Sequence, residues 1–198
     1  EGGLMFNVGR YWDRRYRGGG TSGVGSEDEA AQLKTAYIND LIKTHGVRSI
    51  VDWGFGDGIV AAGFEVTEYT GLEISLAALR VAREAIEYRP RWSWILYDGY
   101  YPPPIHGDLA LSLDVIFHLV EDAMYERHMA NVFASAPLVC IASSNRDEEG
   151  APHVRHRRFT NDLPRGWDVV EKPPAAQEGD IGMWVFEQIR RPRREGRR

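Results

Sequence analysis

At 198 residues, 43% of them hydrophobic and 11% aromatic, the chain has the composition of a packed globule of about one domain, not of a disordered segment. Its single cysteine, Cys140, excludes an intramolecular disulfide and a cysteine-based zinc cluster. No apolar run reaches the ~18 residues that a membrane span requires, and the formal net charge is a modest −5.

Residues 1–26 join an aromatic and basic cluster, Tyr11-Trp12-Asp13-Arg14-Arg15-Tyr16, to a glycine-rich run from Gly18 to Ser26. This pattern reads as neither helix nor strand, although three aromatics so close together imply packing on the rest of the chain. Glu1–Arg17 is polar and arginine-rich and does not read as a secretory leader, so the expected compartment is the cytoplasm. Ser26 with Glu29 spells a capping box, and Ala30, Leu33, Tyr37 and Leu41 recur at helical spacing up to Gly46. These signals predict a helix over 27–44.

Val47–Asp52 is a short β-rich run ending in an acid, followed by Trp53-Gly54-Phe55-Gly56-Asp57-Gly58. A second strand, 68–73, again ends in an acid, Glu73. Ser75 caps a helix predicted over 76–87, Trp92–Leu96 reads as a third strand, and the prolines 102–104 fix a rigid loop. Asp108–Asp114 is nearly continuously apolar, as a central parallel strand would be. A helix over 121–135 and a strand over 138–143 follow. His153–Arg158 is a polar segment, and Trp167–Val170 and Met183–Ile189 have no helix pattern between them, which predicts antiparallel neighbours. Alternating strands and helices predict an α/β fold, a Rossmann-like doubly wound, mostly parallel sheet with an antiparallel last strand.

In such sheets ligands sit at the carboxyl ends of strands near the topological switch point. Asp52, Glu73, Asp98 and Asp114 all fall there. Glycines 54, 56 and 58 directly follow a strand, where glycine permits positive φ and close approach of a ligand. Glu73 is placed to accept both hydroxyls of a ribose. The spacing G-x-G-x-G puts Ile59 where a dinucleotide fingerprint needs its third glycine, and no Gly-Lys-Ser/Thr marks a P-loop. Asp52 suits a ligand carrying an amine or a positive charge.

The ordered set Asp52-x-Gly54-x-Gly56-x-Gly58, Glu73-Ile74-Ser75, Tyr97-Asp98-Gly99 and Asp108–Leu119 resembles the class I S-adenosylmethionine (SAM)-dependent methyltransferases over about residues 30–189. The resemblance implies that SAM is the cofactor and S-adenosylhomocysteine (SAH) the product. It implies that Asp52, Trp53, Gly54, Gly56 and Gly58 hold the methionine part, Glu73 the ribose, Ile74 the adenine face, and Asp98 with Gly99 the adenine amino group. Ser112, Leu113 and Asp114 would lie beside the sulfonium methyl. Phe55 and Trp53 are bulkier than the family's usual residues there. The block from Tyr11 to Ser26 is similar to one in small bacterial methyltransferases, which implies a lid bringing Tyr11, Trp12 and Arg15 to the cofactor. The implied organisation is a lid or arm at 1–26, a SAM-binding domain at 27–189 and a basic disordered tail at 190–198.

For methyl transfer to oxygen a general base is useful, and the candidate catalytic residues are His118, His153 and Asp114. Arg155, His156 and Tyr101 are the candidate substrate contacts. Asp114, His118, His153 and His156 have donors that suit a metal, but no spacing requires one and none is expected. The acceptor expected is a small polar molecule, such as a sugar or a natural-product intermediate, methylated on oxygen or nitrogen by a monomer or homodimer. The alternatives are methylation of nucleic acid or protein, or a catalytically inactive SAM/SAH-binding scaffold. A nicotinamide-dependent reductase is disfavoured by the missing third glycine.

Charge refines the partner expectation. Arg190–Arg198 carries +5, leaving −10 on the other 189 residues, and an acidic body is a poor surface for phosphates. Arginines near 10–17 and 155–158 suggest a basic mouth and hence an anionic or polyhydroxyl acceptor.

Overall fold

A computed structural model describes residues 6–173 and 180–189. The sheet strands are β1 (Ser49–Trp53), β2 (Glu68–Glu73), β3 (Trp92–Leu96), β4 (Leu109–Leu113) and β5 (Leu138–Ser143). A two-strand ribbon, β6 (Glu148–Glu149) with β7 (Arg155–His156), precedes β8 (Trp167–Glu171) and β9 (Gly182–Gln188). The main sheet runs β3-β2-β1-β4-β5-β9-β8. It is parallel through β5, and β9 alone runs antiparallel, to both β5 and β8. The expected doubly wound sheet is therefore present. The basic tail expected at 190–198 lies outside the described residues.

Five helices flank it among the described residues: α1 (Val8–Arg17), α2 (Asp28–His45), α3 (Ile59–Ala62), α4 (Leu76–Ala85) and α5 (Asp122–Ser135). Strand alternation divides the core in two. Val51, Trp53, Ala110, Val139 and Ile141 face α5, packing with Tyr125, Met129, Val132 and Phe133. Ile50, Leu109, Leu111 and Cys140 face the other way, onto Ile38, Leu41 and Ile42 of α2 and Leu79, Ala82 and Ile86 of α4.

Two local expectations are corrected. The aromatic cluster is the helix α1, capped by Asn7, whose Oδ1 accepts from the Arg10 N–H at 2.8 Å. Its signal is Val8, Trp12 and Tyr16, spaced by four, which form one face. The capping box at Ser26 does not form. Ser26 ends a 3₁₀ turn and Asp28 has φ +44°, so Glu27 occupies the cap position and its carboxylate accepts from the Thr21 hydroxyl.

Candidate functional site

The cleft lies over the carboxyl ends of β2, β1 and β4. Its floor is the turn after β1, where Gly54, Gly56 and Gly58 take φ of +85°, +62° and +77°. These are left-handed values that a side chain rarely adopts. Gly54 and Gly56 line the cleft; a Cβ on Gly56 would collide with Ser22 Oγ. Gly58 has a different task. A Cβ there would meet Ile86 Cδ1 at 2.6 Å and Ala82 Cβ at 3.1 Å, so it lets the turn sit against α4.

Asp52 and Glu73 are buried in the cleft wall. The Tyr69 hydroxyl donates to Asp52 Oδ2 at 2.7 Å, while Oδ1 is buried with no donor. Burial is the main cause that lifts the Asp52 carboxyl to about 7, against the Tyr69 hydrogen bond and with added repulsion from Glu73. Glu73 is held in place by the backbone. Oε1 accepts from the Ile74 and Ser75 N–H groups at 2.9 Å each, and Oε2 accepts from the Gly56 N–H at 3.1 Å. Burial raises its pKa, with those three bonds opposing. Ile74, Gly99 and Leu113 also line the cleft. Asp98 does not. It is exposed, and its Oδ1 accepts from the Tyr100 and Tyr101 N–H groups at 2.8 Å each. It faces an adjoining recess that shares Val8, Ile74, Tyr97 and Met124 with the cleft.

Trp53 and Ser112 are absent from the cleft wall. Their positions in the strands point them toward α5, where Trp53 Nε1 donates to Ser135 Oγ at 3.0 Å and Ser112 Oγ pairs with His128 Nε2 at 2.8 Å. Phe55 packs against Trp94 with ring centres 5.0 Å apart and fills the space that Gly71 leaves open. The bulk at these two positions is therefore spent mainly on packing.

The amino-terminal segment roofs the cleft with Val8, Trp12, Tyr16, Ser22 and Ser26. The Ser22 N–H donates to Asp57 Oδ2 at 2.9 Å, and the Asp57 N–H donates back to Ser22 Oγ at 3.3 Å. Tyr16 Oη and Ser22 Oγ are 2.6 Å apart. Of the three lid residues expected at the cofactor, only Trp12 lines the cleft. Tyr11 stacks on His153 at 4.6 Å, and Arg15 donates from Nε to the Thr21 carbonyl at 2.6 Å. Tyr16, Ser22, Tyr97, Met124 and His128 also line the cleft, although the sequence does not mark them as site residues. The spacing of Val8, Trp12 and Tyr16 was the available signal for Tyr16.

On the β4 side stand Asp114, Val115 and His118. Asp114 has φ +59°, unusual for a residue with a Cβ, and Oδ2 pairs with the Lys34 ammonium, which also donates to the Gly25 carbonyl. Asp114 Oδ1 is buried with no donor. His118 Nδ1 lies 3.0 Å from the His153 carbonyl. A carbonyl can only accept, so Nδ1 carries the proton and Nε2 keeps its lone pair. Burial is the main cause that lowers its pKa to about 4, leaving the ring neutral at pH 7.

His153 sits behind His118, the two rings stacked at 5.8 Å, and is not in the cleft wall. His156 is tied to Ser144, Nδ1 to Oγ 2.6 Å. Tyr101 is exposed, beneath the Arg127 guanidinium. Of the two arginine groups expected at the mouth, 10–17 and 155–158, the second does not reach the cleft. Arg155 and Arg157 both pair with Asp122, at 2.9 and 3.0 Å, and with Arg158 they line a separate groove beside α5. The arginines turn there because the Leu119 and Val120 carbonyls and the Asp122 carboxylate offer them acceptors.

Among the described residues no helix is long and apolar enough to cross a membrane. Nor, among them, is any group of three or more His, Cys, Asp or Glu arranged to hold a metal ion.

The strand order, the lone antiparallel strand and the cleft over β2, β1 and β4 define the class I SAM-dependent methyltransferase fold. Solved structures of methyltransferases superpose on it. The N-methyltransferase NodS from Bradyrhizobium japonicum WM9, crystallised with SAH, matches with a TM-score of 0.71 at 13% identity, covering 92% of this chain and 99% of that one. The methyltransferase domain of bacterial CtHen1 matches with 0.66 at 16% identity, covering 80% and 98%. Magnesium protoporphyrin IX methyltransferase (ChlM) from Synechocystis PCC 6803, with bound SAM, matches with 0.66 at 12% identity, covering 94% and 100%. No family model and no curated protein sequence matches the chain. At these identities the shared property is the fold.

Proposed function

We propose that this chain is a SAM-dependent methyltransferase acting on an oxygen or nitrogen of a small polar acceptor. The observation that carries the reading is Asp52 Oδ1, a buried acceptor without a donor, set beside the Gly54–Gly56 turn and across from Glu73. A desolvated carboxylate oxygen of this kind costs about 1–3 kcal/mol until a donor reaches it. The ammonium group of SAM is such a donor, and its sulfonium adds a second positive charge that a carboxylate-lined cleft favours.

SAM, when bound, supplies an electrophilic methyl group. This chain's residues bind, orient and shield. In this reading Asp52 and the 54–56 turn take the amino-acid end. Glu73 has an Oε2 with remaining acceptor capacity for a ribose hydroxyl. Ile74 and Gly99 flank the adenine, with Asp98 at the recess beside it. The roof of α1 and Ser22 excludes water. His118 Nε2 accepts a hydrogen bond from the acceptor's N–H or O–H and fixes its direction, since geometry at the methyl is most of what catalysis requires here.

Calorimetric titration of the purified chain with SAM and with SAH tests the reading. Binding of both, with methyl transfer to at least one member of a panel of small amines, alcohols and sugars, supports it. Binding of neither overturns it.

A further inference from the structure

The cleft has two chemically different halves. The β2 half, with Glu73, Ile74, Tyr97, Gly99 and Met124, combines one acid with apolar walls. The β4 half presents hydrogen-bond acceptors: Asp114 Oδ1, buried and without a donor, and the Nε2 lone pair of His118. Among the described residues the lining holds three carboxylates, Asp52, Glu73 and Asp114, and no lysine or arginine. The one nearby ammonium, Lys34, is already shared between Asp114 Oδ2 and the Gly25 carbonyl. Arg155 and Arg157 are paired with Asp122 beside α5, and Arg15, which lies over the Trp12 ring, stands outside the lining and donates to the Thr21 carbonyl. The left-handed backbone of Asp114 adds a further sign, because strained φ/ψ values of this kind gather at functional sites.

We infer, resting on the methyltransferase reading, that the acceptor is an amine, held in the β4 half by N–H donation to Asp114 Oδ1 and His118 Nε2. A phosphate or carboxylate there would meet the Asp114 and His118 acceptors, with only neutral donors such as the Trp12 indole N–H and the Ser26 hydroxyl in the lining to offset its desolvation. The electron count agrees. The nitrogen lone pair of the neutral amine forms the new N–CH₃ bond while the CH₃–S bond breaks, its electron pair remaining on sulfur as a thioether. The positive charge thus moves from sulfur to nitrogen, next to the Asp114 carboxylate. An amine arriving as its ammonium gives one proton to solvent before the step, and no proton has to leave while the N–CH₃ bond forms, so a histidine held neutral and weakly basic in the wall is sufficient. A hydroxyl acceptor would need a proton removed as the bond forms.

The test uses two cofactor analogues of known structure in place of the unidentified acceptor. SAH is uncharged at sulfur. Sinefungin carries a C–NH₃⁺ group where SAM has S⁺–CH₃, and so places an ammonium at the β4 half. Calorimetry on the wild-type chain is expected to show sinefungin binding about tenfold tighter than SAH. In Asp114→Asn that ratio is expected to fall at least about fivefold. In Lys34→Met, where the internal counter-ion is gone, it is expected to widen. Equal wild-type affinities overturn the amine inference, and so does a preference that Asp114→Asn leaves intact. If Asp114→Asn fails to fold, the wild-type ratio and Lys34→Met decide, a narrowed ratio in the latter counting against the inference. Failure to bind either analogue would instead remove the methyltransferase reading on which the inference rests.

Discussion

Glu73 performs two tasks that a single substitution separates. Its carboxylate takes three backbone N–H groups, from Gly56, Ile74 and Ser75 at 3.1, 2.9 and 2.9 Å, and thereby ties the turn after β1 to the end of β2. In Glu73→Ala all three donors lose their acceptor. Each bond to a charged group is worth about 1.5–3 kcal/mol, but relief of the buried charge and water in the vacated space offset much of the sum. A net stability loss of about 2–4 kcal/mol follows, which for a chain of this length lowers Tm by roughly 5–15 °C. Separately, loss of the ribose acceptor weakens cofactor binding by about 1–3 kcal/mol, or roughly 5–150-fold in Kd. Differential scanning calorimetry without ligand reads the first effect. Isothermal titration with SAH, well below the variant's Tm, reads the second. Glu73→Gln keeps Oε1 for Ile74 and Ser75 but turns an amide donor toward the Gly56 N–H, so its stability loss is smaller. A folded Glu73→Ala variant with wild-type SAH affinity would refute the assignment of the ribose to this carboxylate.

Ser22→Ala removes the Oγ that the Asp57 N–H and the Tyr16 hydroxyl share, while the Ser22 N–H still donates to Asp57 Oδ2. If the amino-terminal segment is a lid, SAH dissociation measured by stopped-flow tryptophan fluorescence speeds up at least about fivefold, since one to two hydrogen bonds are lost; an unchanged rate refutes the lid. His128 is buried, neutral and pushed down to about 3 by desolvation. The unfolded chain binds its proton more strongly, so this residue makes stability fall as pH drops below about 6.5, by on the order of 3 kcal/mol at pH 4. Asp52, raised to about 7, works in the opposite sense, holding a proton that the unfolded chain has lost between about pH 4 and 7. Urea midpoints in His128→Asn are therefore expected to fall less on acidification than in wild type, and parallel slopes would count against a neutral buried ring. Arg157→Ala removes bonds to the Leu119 and Val120 carbonyls and to Asp122, together with packing on Tyr125, for a loss of about 2–4 kcal/mol by chemical denaturation. Arg155→Ala, at a more exposed pair, costs less than about 1 kcal/mol.

The sequence made the sheet legible because each strand carries its own evidence. Asp52, Glu73 and Asp114 close apolar runs where a doubly wound fold puts its ligand, and all three reach the cleft. What it hid was direction. Trp53 and Ser112 follow the same strands to the same end, yet the alternation of side chains sends them to α5. Proximity in a motif is therefore not proximity in space. The arginines near 155 misled for a related reason. Charge is visible in a sequence, but the carbonyls and the Asp122 carboxylate that capture it are assembled only by the fold. Lys34 illustrates the converse, a helix residue whose partner stands 80 positions away and which no local pattern announces.

The amino-terminal segment is tied to the sheet at three successive strand ends. Asp13 Oδ1 accepts from the Ala77 N–H at 3.0 Å, just past β2. Ser22 exchanges hydrogen bonds with Asp57, just past β1, and the Gly25 carbonyl is joined through Lys34 to Asp114, just past β4. A ligand lying across these strand ends runs beneath all three ties. The middle one lies against the glycine turn, beside the proposed amino-acid end, and on the lid reading it is the pair that opens for the ligand. The first tie caps the start of α4 and holds while it does. The third is different in kind, because Lys34 neutralises Asp114 only in part and leaves Oδ1 without a donor. An amine arriving at that oxygen completes the carboxylate's bonding without displacing the lysine. On the amine reading, acceptor binding leaves the tie through Lys34 intact, whereas an anionic acceptor would compete with Asp114 for Lys34 and loosen it.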